Sequence, residues 1–533
     1  MPAGRVGAEG IDPAAFGVDQ FIVPAVLDRR AEEIGGRVMM SIAGTPVTFA
    51  QMRDRSCAAA NVLAGLGVRR GESVALFTGT CPEWVYFWLG AARIGAVAAA
   101  VNAASKGDFL THALRLSKAV VVITDAERHA RVTEVADSIE TLRSVLVQGD
   151  SLDDLLDRAS ATAPAASPAE PDDIGALFFT SGTTGPSKAV ATTWPYLFRA
   201  AATVASAWEF GSGDALWTAM PLFHLSAAPT VLAPMLVGGT SVLAVAFRPS
   251  RVWDEIRECG AVGFAGAGAM VSMLWNLPPE PRDSEIGLRF LSAAPISADI
   301  YRDIERRYGC RIVTMYGLTE AFPIAYKSVS DDGVPGTAGG LNPAFDVRIV
   351  DQQGSPLAAG EVGEITCRAR TTHAMSEGYV SSASGGLQVD PHPEWFQTGD
   401  LGSLDDDQNL TYVDRVKDSL RRRGENVSSV EVETTVMRHP AVLEAAAVGI
   451  PSELGEDDIL VVVTMRPDAQ LDHVDLLDFC SARMPYFCVP RYVEVLDEIP
   501  KNVIGRVRKD VLRARGLGEG AWDREANGYV LSR

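Results

Sequence analysis

Short runs of Val, Ile and Ala alternate with helix-period segments through the first third of the chain. Residues 73–77, 97–101, 119–124 and 144–147 are continuous apolar stretches, the pattern of buried strands. Between them, 49–67 and 84–95 read as helices. Strands separated by helices predict α/β layers with parallel pairing. A polar, proline-rich connection at 160–173 leads into a further apolar run at 176–179. Near residue 335 the texture changes, and 345–351 and 363–368 with their polar turns predict a small β-rich unit. Past residue 414 the order is helix (430–436), strand (445–449), strand (460–465) and helix (474–483). That order predicts a compact α+β domain of roughly 120 residues, a reasonable size for an independent unit.

One stretch, 215–247, lacks Asp, Glu, Lys and Arg and is long enough to span a bilayer. Pro221, Pro229, Pro234, Gly238 and Gly239 divide it. It reads as a loop, a buried helix near 225–237 and a buried strand near 240–247, so no membrane span is expected. With 533 residues, 47% of them hydrophobic, the chain can bury several cores, and about two to four domains are expected. A net charge of −20 with no basic stripe makes nucleic acid and anionic membranes poor partners. The seven cysteines are scattered without a C-x-x-C pair, which fits a reducing cytoplasm and argues against a metal site or disulfide framework. No N-terminal signal peptide is read, and a cytoplasmic location is the expectation. Lysine occurs only at 106, 118, 188, 327, 417, 501 and 509, arginine supplying the rest of the 48 basic residues. That bias, with abundant Ala and Gly, fits a GC-rich genome. It also singles out Lys188, Lys417, Lys501 and Lys509, which fall in motif-like segments where a compact, hydrated charge has a use.

Residues 180–188 have the composition of a phosphate cradle. Thr180, Ser181, Gly182, Thr183, Thr184 and Gly185 can turn backbone N–H groups and hydroxyls toward an anion, and Lys188 adds a positive charge. This is not the common P-loop, because Pro186 and Ser187 separate Gly185 from Lys188. Taken alone, the loop also fits a Ser/Gly surface turn. A second block, 315–320, follows an apolar strand at 312–313. There Tyr316 offers a flat face to a base, Thr319 a hydroxyl to a phosphate and Glu320 a hard oxygen to Mg2+. A plain strand-to-helix turn is the alternative. In 395–400, Asp400 follows a Gly turn at a strand end, where its carboxylate can accept both hydroxyls of a ribose or merely stabilise the turn. The dense charge of 414–426 fits a solvated helix face, and its Gly favours a mobile connection. The fifth block is 500–509.

In order and spacing the five blocks resemble the adenylate-forming superfamily of acyl-CoA synthetases, peptide-synthetase adenylation domains and beetle luciferases. The likeness covers essentially the whole chain. Through 423–429, Arg-Gly-Glu-Asn-Val-Ser-Ser, it is nearest to CoA ligases for carnitine-type, fatty or aromatic acids. The resemblance implies a large N-terminal domain, 1–414, of two α/β layers plus a distorted β-barrel, and a small mobile α+β C-terminal domain, 415–533. It implies that 180–188 holds the β- and γ-phosphates of ATP. Ala293, Ala294, Pro295, Tyr316 and Gly317 would line the adenine, Thr319 the α-phosphate, and Glu320 would hold Mg2+. Asp400 and Arg415 would contact the ribose, and Lys417 would be the hinge. His224, beside Phe223, would sit where the activated acid meets its second nucleophile, CoA in the CoA ligases. A lone histidine in an apolar stretch is otherwise usually a satisfied core residue. Phe264, Ala265, Gly266, Gly268, Met315 and Phe322 would shape the acid pocket, whose small residues leave a slot for a planar or extended substrate.

The chain departs from the family in its last motif. Arg506 follows Gly505 where the family has a lysine that bridges the carboxylate and the α-phosphate. Arginine keeps the charge but presents a bulkier planar fork. Lys501 and Lys509 lie nearby, off that position. Three readings follow. The first is a ligase that activates a small carboxylic acid as acyl-AMP, releases pyrophosphate and transfers the acyl group to a thiol, CoA. The second is a diazotase that activates nitrite and couples it to an aryl amine, which Arg506 and a composition typical of secondary metabolism permit. The third is a catalytically silent nucleotide-binding scaffold, opposed by the intact Lys188, Glu320, Asp400 and Arg415. Dependence on CoA separates the first two. The identity of the acid and the oligomeric state, a homodimer included, are left open.

Overall fold

The apolar runs of the first third form four adjacent strands at one side of an eight-stranded sheet, with Ser144–Val147 at its edge. The structure, a computed structural model, describes residues 16–165, 168–180, 186–275, 277–294, 296, 298–351, 353–381, 386–415, 420–422, 425–427, 429–452, 456–467, 469–500 and 507–531. In this first sheet Ser73–Phe77, Val97–Ala100, Ala119–Thr124, Ser144–Val147 and Ile174–Thr180 pair in parallel. Every residue of the first three is buried, which is why they read as unbroken apolar runs. Strand Lys188–Thr193 turns back antiparallel, with Lys188 opposite Thr180. Gly378–Val380 and Val389–Pro391 complete that edge.

A second sheet of seven strands runs Arg311–Val313, Phe290–Ser292, Gly263–Ala265, Ala215–Thr218, Thr240–Leu243, Val38–Ile42 and Thr45–Thr48. All its pairs are parallel except the last. Trp84, Trp88, Trp194 and Phe198 form a chain of ring contacts at 5.4, 5.4 and 6.1 Å within the largest core. The uncharged stretch becomes a short 3-10 turn, Leu225–Ala227, then the fully buried helix Ala228–Val237. Gly238 ends it at φ 74°, a left-handed conformation suited to glycine. The following strand stops at Leu243, short of the 240–247 run, as the chain turns outward. Among the described residues no helix is long and apolar enough to cross a membrane.

The β-rich unit is a seven-stranded antiparallel sheet in the order Met315–Leu318, Ala321–Tyr326, Gly339–Leu341, Asn409–Arg415, Phe396–Leu404, Gly363–Ala369 and Phe345–Val350. Two motifs sit differently from expectation. The 315–320 block is not a strand-to-helix turn: Met315–Leu318 returns as Ala321–Tyr326, and Thr319 and Glu320 form the turn of that hairpin. Asp400 lies within strand Phe396–Leu404 rather than at its end, just after Gly399 at φ 72°.

The smaller C-terminal domain carries a four-stranded sheet of Val442–Pro451, Asp457–Met465, Tyr492–Val495 and Trp522–Asp523. Helices Ser429–Met437 and His473–Ser481 contribute Val432, Val436, Leu476 and Leu477 to its core. Ala104 and Phe109 of the N-terminal domain pack against that core. The fold is therefore α/β: a large N-terminal domain of two α/β layers and an antiparallel β unit, with a small α+β C-terminal domain.

Candidate active site

The hairpin strand Met315–Leu318 and strand Phe396–Leu404 bring together Tyr316 and Asp400, two of the residues expected to meet a nucleotide. Tyr316 donates its hydroxyl to Asp400 Oδ2 at 2.9 Å, and both residues are buried. Burial and the Asp400 charge push the Tyr316 phenol well above its usual range, so it keeps its proton. The Asp400 N–H donates to Thr398 Oγ1 at 3.1 Å, and the Tyr412 ring lies 6.1 Å from that of Tyr316. Arg415 is the register partner of Asp400 on the neighbouring strand. A carboxylate held this way can accept hydroxyls of a sugar.

Lys188 is exposed at the start of its strand, and its ammonium lies 4.3 Å from the centre of the Tyr379 ring. The Tyr379 hydroxyl donates to Glu320 Oε1 at 2.7 Å, so one tyrosine touches both the Lys188 ammonium and the Glu320 carboxylate. Burial and the Glu320 charge raise the Tyr379 phenol. Thr319 is fixed by its carbonyl, which accepts the Tyr196 hydroxyl at 3.0 Å. Behind this group, the Ser376 N–H donates to the Glu320 carbonyl at 2.8 Å. The Ser376 hydroxyl lies 2.7 Å from His392 Nε2. His392 packs edge-on to Tyr379 at 5.2 Å, and burial followed by the Lys188 charge lowers it to about 4. Sequence reasoning missed Tyr379, Ser376 and His392. The usable signal was Gly378, at φ 136°, where a Cβ would meet the Asp390 carbonyl oxygen at 2.0 Å.

Glu320 is buried and presents a hard oxygen donor beside an exposed cation. Among the described residues no three His, Cys, Asp or Glu side chains could hold a metal by themselves. One protein carboxylate together with substrate phosphates is the usual way Mg2+ is held, and Glu320 fits that role.

A cavity of about 340 Å³ opens beside Tyr316 and Asp400, and Lys188, Thr319, Glu320 and Tyr379 are not in its lining. Ala293, Ala294, Tyr316, Gly317 and Asp400 line one part, and Ala265, Gly266, Met315 and Phe322 another. Phe223, His224, Phe264 and Gly268 do not line it. For Phe264 the reason is strand geometry. In Gly263–Ala265 successive side chains point to opposite faces, so Ala265 meets the cavity while the Phe264 ring stacks on Trp217 at 5.4 Å in the core. Gly268 donates its N–H to the Ala294 carbonyl at 3.2 Å. Ser181, Gly182, Thr183, Thr184, Gly185, Pro295, Lys417 and Arg506 lie outside the described residues.

Contacts from the C-terminal domain reach the site. His224 Nε2 lies 2.8 Å from Glu425 Oε2, and the Phe223 ring is 4.6 Å from the His224 ring. The Ser187 N–H donates to Glu431 Oε1 at 2.5 Å, and His112 Nε2 lies 2.8 Å from the Ser187 carbonyl. Burial pushes the Glu431 carboxyl up to about 7, against the pull of its bond from Ser187. Lys509 is paired with Glu433 at 2.6 Å and Ser429 at 2.7 Å. Nearby on the N-terminal side, Arg128 and Arg131 both donate to the Ala103 carbonyl, at 2.8 and 3.3 Å. Burial and the charge of Arg131 lower the Lys106 ammonium. Arg128 is already paired with Asp125 at 2.7 Å and Glu127 at 3.2 Å, which leaves Lys106 and Arg131 as the less neutralised cations near the seam.

The sequence pattern of the AMP-binding enzymes matches residues 27–380, and that of the AMP-binding enzyme C-terminal domain matches 431–506. A crotonobetaine/carnitine–CoA ligase of Salmonella paratyphi C is 30% identical over 488 residues, covering 87% of this chain and 93% of that protein. The o-succinylbenzoate CoA synthetase of Bacillus subtilis, solved with a product analogue, superposes with a TM-score of 0.80 at 24% identity, covering 92% and 98% of the two chains. The amide bond synthetase McbA of Marinactinospora thermotolerans also gives 0.80, at 25% identity and 92% and 99% coverage. The chain belongs to the AMP-binding enzymes, the adenylate-forming family that includes the acyl-CoA ligases.

Proposed function

We propose that this protein activates a carboxylic acid with ATP as acyl-AMP, releases pyrophosphate, and transfers the acyl group to the thiol of CoA. The observation that carries the reading is that one hairpin holds both groups: its strand brings Tyr316 to Asp400 at the cavity, and its turn brings Glu320 to Tyr379 and so to Lys188. Attack of a carboxylate on the α-phosphate adds negative charge to a centre that is already anionic, so positioning and electrostatic stabilisation dominate. Asp400 and Arg415 take the ribose, and Tyr316, Gly317 and 293–295 take the adenine. Residues 180–188 cradle the outer phosphates, with Thr319 toward the α-phosphate. Glu320 holds Mg2+, which supplies charge neutralisation on the phosphates. Arg506 supplies the cation on the α-phosphate.

The domain division falls at 414/415, with Lys417 as the hinge. Rotation about it exchanges the face carrying Arg506 for the face that admits the thiol. His224, paired with Glu425, stands where the second nucleophile arrives. Lys106 and Arg131, which face one another near the seam, support a thiol substrate that carries phosphate. A cytoplasmic setting suits ATP and CoA as substrates.

An amine acceptor is the second reading, supported by equal TM-scores with an amide bond synthetase and a CoA synthetase. Its diazotase form, with nitrite as the activated anion, has no separate structural observation in its favour. Pyrophosphate release measured with a panel of acids, with and without CoA, nitrite and aryl amines, tests the proposal. Acid- and CoA-dependent turnover supports it, and turnover that requires nitrite and an aryl amine rejects it.

A further inference from the structure

We propose that the acid activated here is a monocarboxylic acid with an uncharged, apolar body, and that dicarboxylic acids and acids bearing a quaternary ammonium are rejected. This rests on the AMP-forming reading above and names its substrate class. The carrying observation is the chemistry of the cavity wall. Among the described residues, no Lys, Arg or His lines it. Its apolar lining includes Val204, Trp208, Met220, Pro229, Met315 and Phe322, and apart from two aspartates its polar lining is made of hydroxyl-bearing Ser, Thr and Tyr. Val204 and Trp208 lie about one helical turn apart and are 1% and 3% exposed. The Trp208 ring stacks on Phe290 at 5.4 Å, which fixes that wall in place. Pro229 belongs to a helix whose every residue is buried. Thr230, also in the lining, already donates its hydroxyl to the Ala227 carbonyl at 2.7 Å.

Two carboxylates, Asp400 and Asp457, also line the cavity. Asp400 accepts from Tyr316 on the nucleotide side. Asp457 begins a strand of the C-terminal sheet and reaches the cavity from across the seam. A second carboxylate on the acid would therefore lose its water against a lining that, among the described residues, offers two carboxylates and no cation. A quaternary ammonium would lose its water in that apolar lining against two rings, Trp208 and Phe322, short of the aromatic cage that recognises such ions. An alkyl or aryl body gains from every part of the same wall it covers.

The test uses the full chain with ATP, Mg2+ and CoA. Pyrophosphate release is measured with octanoate, benzoate and 3-phenylpropionate against malonate, succinate and carnitine. Binding of the same acids is measured by calorimetry in the presence of a non-hydrolysable ATP analogue. The neutral-bodied acids are expected to exceed the charged ones in kcat/KM by at least about 100-fold, the cost of burying an unpaired charge. A charged acid within about tenfold of the best neutral one overturns the substrate class and leaves the AMP-forming reading standing. Neutral acids that bind while charged ones do not, without pyrophosphate release from any, support the class and overturn the AMP-forming reading. Neutral acids that neither bind nor react overturn the class. Met220→Arg, checked by its melting temperature, is expected to lose at least about tenfold on the neutral acids and to admit succinate. A folded M220R protein with wild-type rates overturns this reading of the wall.

Discussion

The backbone N–H of Ser187 donates to Glu431 Oε1, tying the end of the phosphate-loop segment to the first turn of helix Ser429–Met437 in the C-terminal domain. Glu431 is held at this seam with its carboxyl pushed up by burial to about 7 from an ordinary 4.5. The docked state therefore binds the Glu431 proton more tightly than a state in which the residue meets water. Docking is favoured on the acid side and weakens as pH rises from about 4.5 through about 7. Around the same contact stand His112, against the Ser187 carbonyl, and the Arg438–Asp108 pair. Limited proteolysis at the proposed hinge should accelerate severalfold across that pH window. Glu431→Gln keeps an acceptor without the charge and should flatten the dependence. An unchanged profile in E431Q would assign the pH effect to another group.

Tyr379 is expected to act by positioning. Tyr379→Phe keeps the ring under Lys188 but removes the bond to Glu320. Loss of a hydrogen bond to a charged group corresponds to roughly a 10- to 100-fold effect. It should fall on ATP–pyrophosphate exchange and on the Mg2+ concentration that supports it, with transfer from preformed acyl-AMP affected less. Equal losses in both half-reactions would point to a general structural role instead.

The buried layers were legible because unbroken apolar runs have few alternatives to parallel strands between helices. Strand ends were less so, as at Leu243, because local pattern does not say where a chain leaves its neighbour. The block at 315–320 was placed on the right residues and the wrong turn, since a hairpin return at 321–326 leaves the same small motif. Phe264 and Ala265 illustrate a finer limit. Adjacent in sequence, they point to opposite faces of one strand, so both cannot line the same pocket. The pairs Tyr379–Glu320, His224–Glu425 and Ser187–Glu431 join residues 59 to 244 positions apart or cross the domain seam, and no local pattern specifies them.

Lys188→Ala and Glu320→Ala should each slow adenylation by about 10- to 1000-fold, the range for removing one electrostatic contact to a reacting phosphate. Thermal melting separates this from unfolding. Exposed Lys188 should be replaced at little structural cost, whereas removing buried Glu320 strips Tyr379 of its acceptor and should also lower the melting temperature. Wild-type exchange rates in either folded variant would remove that residue from the site.

His392 gives the acid limb of stability a specific origin. Burial, then the Lys188 charge, lowers its pKa from 6.5 to about 4, so the unfolded chain takes up its proton first as pH falls. Its contribution is present above the ordinary histidine value and is lost as pH drops toward about 4. Denaturant titrations between those limits should show stability falling with acid in the wild type. A non-titrating replacement such as His392→Gln should lessen that slope, even at lower overall stability. The same slope in both proteins would assign acid lability to other groups.

The final test separates the two basic positions at the C-terminal end. Lys509 is already committed within its own domain: its ammonium bonds Glu433 and Ser429, and Glu433 also accepts the Ala447 N–H at 2.7 Å. Removing it leaves Glu433 partly buried with one partner fewer, so Lys509→Ala should lower the melting temperature and slow both half-reactions together. Arg506 stands one residue past Gly505, where the family lysine meets the α-phosphate, and it stays charged at any working pH. Arg506→Ala should slow acyl-AMP formation by about 10- to 1000-fold and leave transfer from preformed acyl-AMP nearly intact, since charge on the α-phosphate develops only in the first step. Arg506→Lys should retain substantial adenylation, because a point charge can still reach one oxygen. Single-turnover measurement of each half-reaction distinguishes the two residues. If Lys509→Ala abolishes adenylation in a fully folded protein while Arg506→Ala does not, the catalytic cation is Lys509, and the assignment of Arg506 to the α-phosphate falls.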